Sequence, residues 1–89
     1  MQHGLAAMMK RETFEIGAIY VPVKRRATLV PRTVDELAAN ILEVGQQTPI
    51  LVRRDGERLV LVEGLHRLEA CKALGETTIA GYLVQARKF

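Results

Sequence analysis

A small mixed α/β or α+β domain is predicted by three features of this chain. Leu59 to Val62 is a run of four aliphatic residues, two of them β-branched, and reads as a buried strand. Just after it, Leu68, Cys71 and Leu74 recur at helical spacing, with Lys72 near the end and Gly75 as terminator. Upstream, Val34, Leu37, Ala38, Ile41 and Leu42 fall on one apolar face of a second helix.

The bulk numbers set the frame. At 89 residues and 9.9 kDa the chain suits one domain with a modest core. Hydrophobic residues make up 48% and charged residues 26%, which is globular and not disordered. No apolar run approaches a membrane span, and residues 1–10 lack the charged-then-apolar order of a secretion signal. The single cysteine, Cys71, has no internal disulfide partner, and its place on an apolar helical face suits a core residue. A cytoplasmic protein is expected. No Cys/His spacing suggests zinc. The net charge of +3 is compatible with a polyanion partner and equally with simple solubility.

The elements follow in order. Residues 1–12, with His3, show no period and are expected to form a loose arm; 13–89 form the domain. Phe14 to Val21 is rich in strand formers, with Gly17 hinting at a bend. Val23 to Arg32 lies between Pro22 and Pro31, carries Lys24, Arg25, Arg26 and Arg32, and reads as an extended loop. Thr33 to Glu36 reads as a capping box that starts the helix ended by Gly45. Gln46 to Pro49 is a polar loop, and Ile50 to Val52 a short strand. Asp55-Gly56 marks a hairpin into the Leu59 strand. Thr77 to Ile79 and Tyr82 to Val84 suggest a last strand, before the basic tail Arg87-Lys88-Phe89.

The join between the buried strand and its helix carries the chemistry. In Glu63-Gly64-Leu65-His66-Arg67 a glycine lets the backbone bend and a ligand come close. The first helical turn presents free N–H groups and the positive dipole end, a seat for an anion. His66 and Arg67 add donors, and a guanidinium fits phosphate oxygens as a planar fork. The same residues also suit a plain cap or surface pair, so the turn alone leaves both readings open.

Together the segments resemble a known family. Asp35-Glu36-Leu37-Ala38 through Gly45 and Thr48-Pro49-Ile50-Leu51-Val52-Arg53 resemble the first half of the ParB N-terminal domain. Val62 to Ala70, Leu74-Gly75 and Thr78-Ile79 resemble its second half. The same segments look like sulfiredoxin, chiefly the Gly-x-His-Arg core. The likeness runs from about Ile19 to Gln85 and implies an α+β domain, a small mixed sheet with two main helices.

In that superfamily the turn binds nucleotide phosphates: CTP in ParB proteins, ATP in sulfiredoxin and free serine kinases. The resemblance therefore implies that Gly64, Leu65, His66 and Arg67 cradle a triphosphate, with Gln47, Thr48, Pro49 and Ile50 beside it. It implies Mg2+ held between phosphates and water, with no set of protein ligands for the metal alone. Lys24, Arg25, Arg26 and Arg32 occupy the region of an arginine-bearing loop in ParB relatives and are candidate phosphate or nucleic-acid contacts.

Two departures narrow the expectation. Sulfiredoxin carries a nucleophilic cysteine where this chain has Leu65, which excludes repair through a cysteinyl intermediate. Full ParB continues into an Asn/Arg-rich nucleotide motif, a helix-turn-helix and a dimerising tail; none is found here, which puts sequence-specific DNA binding in doubt.

The expected function is thus a ParB-like nucleotide-binding module in plasmid or chromosome partition or in regulating DNA transactions. DNA and a second copy of the chain are possible partners; a membrane is not expected. A second class is an enzyme, an NTPase, small-molecule kinase or metal-dependent nuclease, with Glu63, Glu12 or Glu15 as weak candidate bases. A third is a basic interaction protein without a ligand.

Overall fold

The computed structural model describes residues 10–45 and 48–84. The chain opens with strand β1 (Lys10–Glu15), a 3-10 turn (Ile16–Ala18) and the two-residue strand β2 (Ile19–Tyr20). Helix α1 (Val23–Arg26) and helix α2 (Pro31–Val44) follow. The hairpin β3 (Ile50–Asp55) and β4 (Arg58–Glu63) leads into helix α3 (Leu65–Ala73), and strand β5 (Thr78–Leu83) ends the described chain. This is the expected α+β domain, and its two main helices are α2 and α3.

The five strands form one mixed sheet in the order β1-β5-β3-β4-β2. β1 runs antiparallel to β5, and β3 antiparallel to β4. β5 lies parallel to β3, and β2 parallel to β4. The sheet and the helices share a core of Phe14, Ile50, Val52, Leu61, Leu68 and Cys71 with their neighbours. Leu68 and Val52 are fully buried. Val60 and Leu61 are adjacent and each 2% exposed, so β4 is covered on both faces, as its uninterrupted aliphatic run predicts. Among the described residues no helix is long and apolar enough to cross a membrane.

Four expectations need correction. Residues 10–12 are strand and not part of a loose arm, since they pair with β5 in β1; His3 and the rest of residues 1–9 lie outside the described residues, as does the tail 85–89. Phe14 to Val21 is two strands, broken by the 3-10 turn that holds Gly17. The stretch between Pro22 and Pro31 is not extended: the Arg25 and Arg26 N–H groups donate to the Pro22 carbonyl and close α1.

The capping box is the fourth. Helix α2 begins at Pro31, with Val30 as its N-cap, and no side chain caps it. A proline at the first helical position loses nothing, since its missing N–H would have had no acceptor there. Thr33 therefore sits inside the first turn. The apolar face is also narrower than the spacing suggests. Val34, Leu37, Ala38 and Ile41 are at least half-buried, while Leu42 is 77% exposed. Eight residues beyond Val34, Leu42 lies about 80° round the helix, off the face that meets α3.

Candidate functional site

Gly64 sits between β4 and α3 at φ +107° and ψ 31°, a conformation that side chains rarely adopt. A Cβ placed there would meet Ile50 Cγ2 at 2.7 Å. Glycine thus serves twice: it makes the left-handed bend and lets the turn lie directly on the first residue of β3. Ile50 is 1% exposed and also packs against Gly81, where a Cβ would lie 3.0 Å away. The turn is seated on the centre of the sheet.

The first intrahelical bond of α3 runs from the Leu68 N–H to the Gly64 carbonyl at 2.9 Å. The N–H groups ahead of Leu68 have no acceptor inside the helix, and the N-cap residue brings no side-chain bond. Their partial positive charge adds to the helix dipole, and the donors stay close together on a rigid element.

The flanking side chains have different roles. Leu65 is 5% exposed and packs in the core, so its side chain takes no part in the surface of the turn. His66 is half-buried, and its Nε2 accepts a hydrogen bond from the Val30 N–H at 3.0 Å. That bond joins the N-cap of α2 to the first turn of α3. It needs a lone pair on Nε2, so the neutral ring carries its proton on Nδ1, which remains available as a donor. Arg67 is half-buried one helical turn before Cys71. Burial pushes the Cys71 thiol above its ordinary 9.0; the Glu76 carboxylate adds to this, and the Arg67 guanidinium opposes it. Cys71 is 2% exposed, which places it in the core. Glu63 is exposed at the end of β4 and makes no ion pair or side-chain hydrogen bond among the described residues.

Of the loop expected beside a nucleotide, the last residue packs on the turn. Ile50 touches Gly64, with half-buried Pro49 and exposed Thr48 leading in; Gln47 lies outside the described residues. The basic residues separate. Arg25 Nη2 donates to the Val62 carbonyl and ties α1 to the end of β4. Lys24 and Arg32 are exposed. Arg26 borders a groove of about 350 Å³ with Ile19, Val21, Leu29, Leu65, Glu69 and Lys72. Among the described residues no three His, Cys, Asp or Glu side chains cluster to hold a metal.

Three contacts escape sequence reasoning: His66 with Val30, Arg25 with Val62, and Ile50 with Gly64. Each joins residues far apart in the chain, and no local pattern marks it. The start of α2 did carry a signal, Pro31 in the first helical position.

Comparisons with known proteins meet this geometry. The profile of the ParB N-terminal domain matches residues 7–88. A probable chromosome-partitioning protein ParB of Campylobacter jejuni is 36% identical over 62 residues, 70% of this chain and 22% of that protein. The chain thus spans about a fifth of that relative's length. Among solved structures, sulfiredoxin from Arabidopsis thaliana superposes with a TM-score of 0.77 at 27% identity, covering 86% of each chain. Truncated chromosome-partitioning protein ParB from Caulobacter crescentus, complexed with CTP-gamma-S, gives 0.71 at 23% identity over 90% of this chain and 46% of that one. A free serine kinase in complex with ADP gives 0.72 at 16% identity, covering 83% of this chain and 30% of the kinase. The last two likenesses show the shared fold.

Proposed function

Because this chain belongs to the ParB N-terminal domain family, we propose that it is a nucleotide-binding module that takes the phosphates of CTP or ATP at the start of α3. The observation that carries the reading is the turn itself. A left-handed glycine held against Ile50 aims uncapped N–H groups outward from a rigid, core-seated helix. Gly64 lets the phosphates approach the backbone, and the N–H groups of Leu65, His66 and Arg67 donate to their oxygens. The His66 Nδ1–H and the Arg67 guanidinium add side-chain donors. Thr48, Pro49 and Ile50 border the nucleotide, with Gln47 expected beside them.

Support also comes from two structures of this fold whose ligands are named, CTP-gamma-S in one and ADP in the other. A triphosphate bound here would bring Mg2+ with it, held between phosphate oxygens and water. The chromosome-partitioning role of the Campylobacter relative extends to this chain as part of the proposal: a cytoplasmic module of plasmid or chromosome partition. Of the four cations between Pro22 and Thr33, exposed Lys24, Arg26 and Arg32 are available to DNA phosphates.

Calorimetry with CTP, ATP and their magnesium complexes tests the reading. At least one should bind, and Arg67→Ala should weaken it tenfold or more, about 1.4 kcal/mol. No binding at millimolar nucleotide sinks it. An enzymatic reading rests on Glu63, the exposed carboxylate next to the turn, acting as general base toward a water or hydroxyl at the phosphates. Phosphate release that stops with EDTA and with Glu63→Gln would establish turnover; nucleotide binding without release would leave a binding module.

A further inference from the structure

The segment between Pro22 and Pro31 grips the Gly64 turn on both sides. Ahead of the turn, Arg25 Nη2 donates to the carbonyl of Val62, two residues before Gly64. Behind it, the Val30 N–H donates to His66 Nε2, two residues after Gly64. These bonds join residues 37 and 36 positions apart in the chain, and Ile50 supports the glycine between them.

The Val62 carbonyl depends on this partner. The β3–β4 register passes from Val52 opposite Leu61 to Leu51 opposite Glu63, which makes Val62 the extra residue of a bulge. On the other side of β4, β2 pairs only with Leu59 and Val60. Among the described residues Val62 therefore has no partner in either neighbouring strand, and the Arg25 guanidinium supplies the donor that a strand would. A bulge bends its strand and re-aims whatever follows, here the residues that lead into the turn.

Arg25 is itself held firmly. Its N–H donates to the Pro22 carbonyl at 2.9 Å, and its carbonyl accepts from the Thr28 N–H at 3.0 Å and from Thr28 Oγ1 at 2.7 Å. Helix α1 has no buried residue, so packing does not account for its seat; the side chain of Arg25 ties it to the sheet. A guanidinium stays charged at any physiological pH, and a charged donor makes a stronger hydrogen bond than a neutral one.

We propose that Arg25 is a positioning residue for the phosphate site. By holding the bulged carbonyl it sets where the N–H groups of Leu65, His66 and Arg67 point, without touching the ligand itself. The proposal rests on the phosphate reading of that turn. Several donors must converge on one phosphate chain, and a glycine hinge lets them diverge once the tie is cut.

The test compares Arg25→Met, which keeps the stem and removes the donors, with Arg25→Lys, which keeps one charged donor on a stem of similar length. Circular dichroism checks that both are folded. Without nucleotide, the amide resonances of Gly64 to Arg67 should shift and exchange faster in Arg25→Met, and stay near wild type in Arg25→Lys. Calorimetry with magnesium CTP and magnesium ATP should show binding about tenfold weaker in Arg25→Met and largely restored in Arg25→Lys. The loss in Arg25→Met should be equal at low and high salt, because no phosphate contact has been removed. A loss confined to low salt is a charge effect and overturns the proposal. Wild-type affinity in Arg25→Met overturns it as well, as do turn amides that do not move. Wild type that binds no nucleotide sinks the phosphate reading alone, and the amide resonances still decide whether Arg25 sets the turn.

Discussion

At Gly64 the backbone angle and the neighbour act together. Alanine would be forced to φ +107° and would push its Cβ to within 2.7 Å of a side chain that is 1% exposed. Ile50 cannot yield, being wedged against Gly81 as well. Gly64→Ala should therefore lower stability by roughly 2 kcal/mol or more, seen as a lower urea midpoint, and should weaken nucleotide binding in whatever fraction stays folded. Leu68, also fully buried, gives a plain packing counterpart: Leu68→Ala should cost about 3 kcal/mol without touching the turn's donors. The need for a glycine between strand and helix was legible in the sequence. The Ile50 contact was not, because fourteen positions separate the two residues and only strand pairing brings them together.

At the scale of elements, the start of α2 decides between two chemistries. A Thr33 cap would make Thr33→Ala cost about 1 kcal/mol. With the helix starting at Pro31, the substitution should stay within about 0.5 kcal/mol in thermal denaturation. The bond from the Val30 N–H to His66 Nε2 is the link that does fix this end of the helix. His66→Ala should thus cost about 1 kcal/mol and loosen α2 against α3, visible as faster amide exchange at Val30. Periodicity located the helix, since four of its five apolar positions do face the core. It misplaced the beginning and the Leu42 edge, because the face a helix buries is set by how far its neighbours extend, which periodicity does not contain.

For the whole molecule, the buried thiol in the last turn of α3 links folding to alkaline pH. The Cys71 value is raised in the folded state above the ordinary 9.0, chiefly by burial, so the thiol form is favoured there. Its contribution to stability is complete below the unfolded value and is lost as pH rises through the folded one. The urea midpoint should begin to fall as pH rises through the ordinary thiol value of 9.0, and the fall should be shallower in Cys71→Ala. Native Cys71 should also resist alkylation at neutral pH and react only on unfolding.

The sequence by itself determined a small mixed α/β or α+β domain, the hairpin, the two main helices and the glycine turn with its His-Arg pair. All of these rest on periods and turn residues within a few positions of one another. Only the tertiary structure decided what each side chain does at that turn: Leu65 inward, His66 holding the cap of α2, Arg25 spent on a strand carbonyl, Arg26 left at a groove. Those assignments depend on which distant segments arrive beside them, and chain connectivity says nothing of that until the sheet order is known.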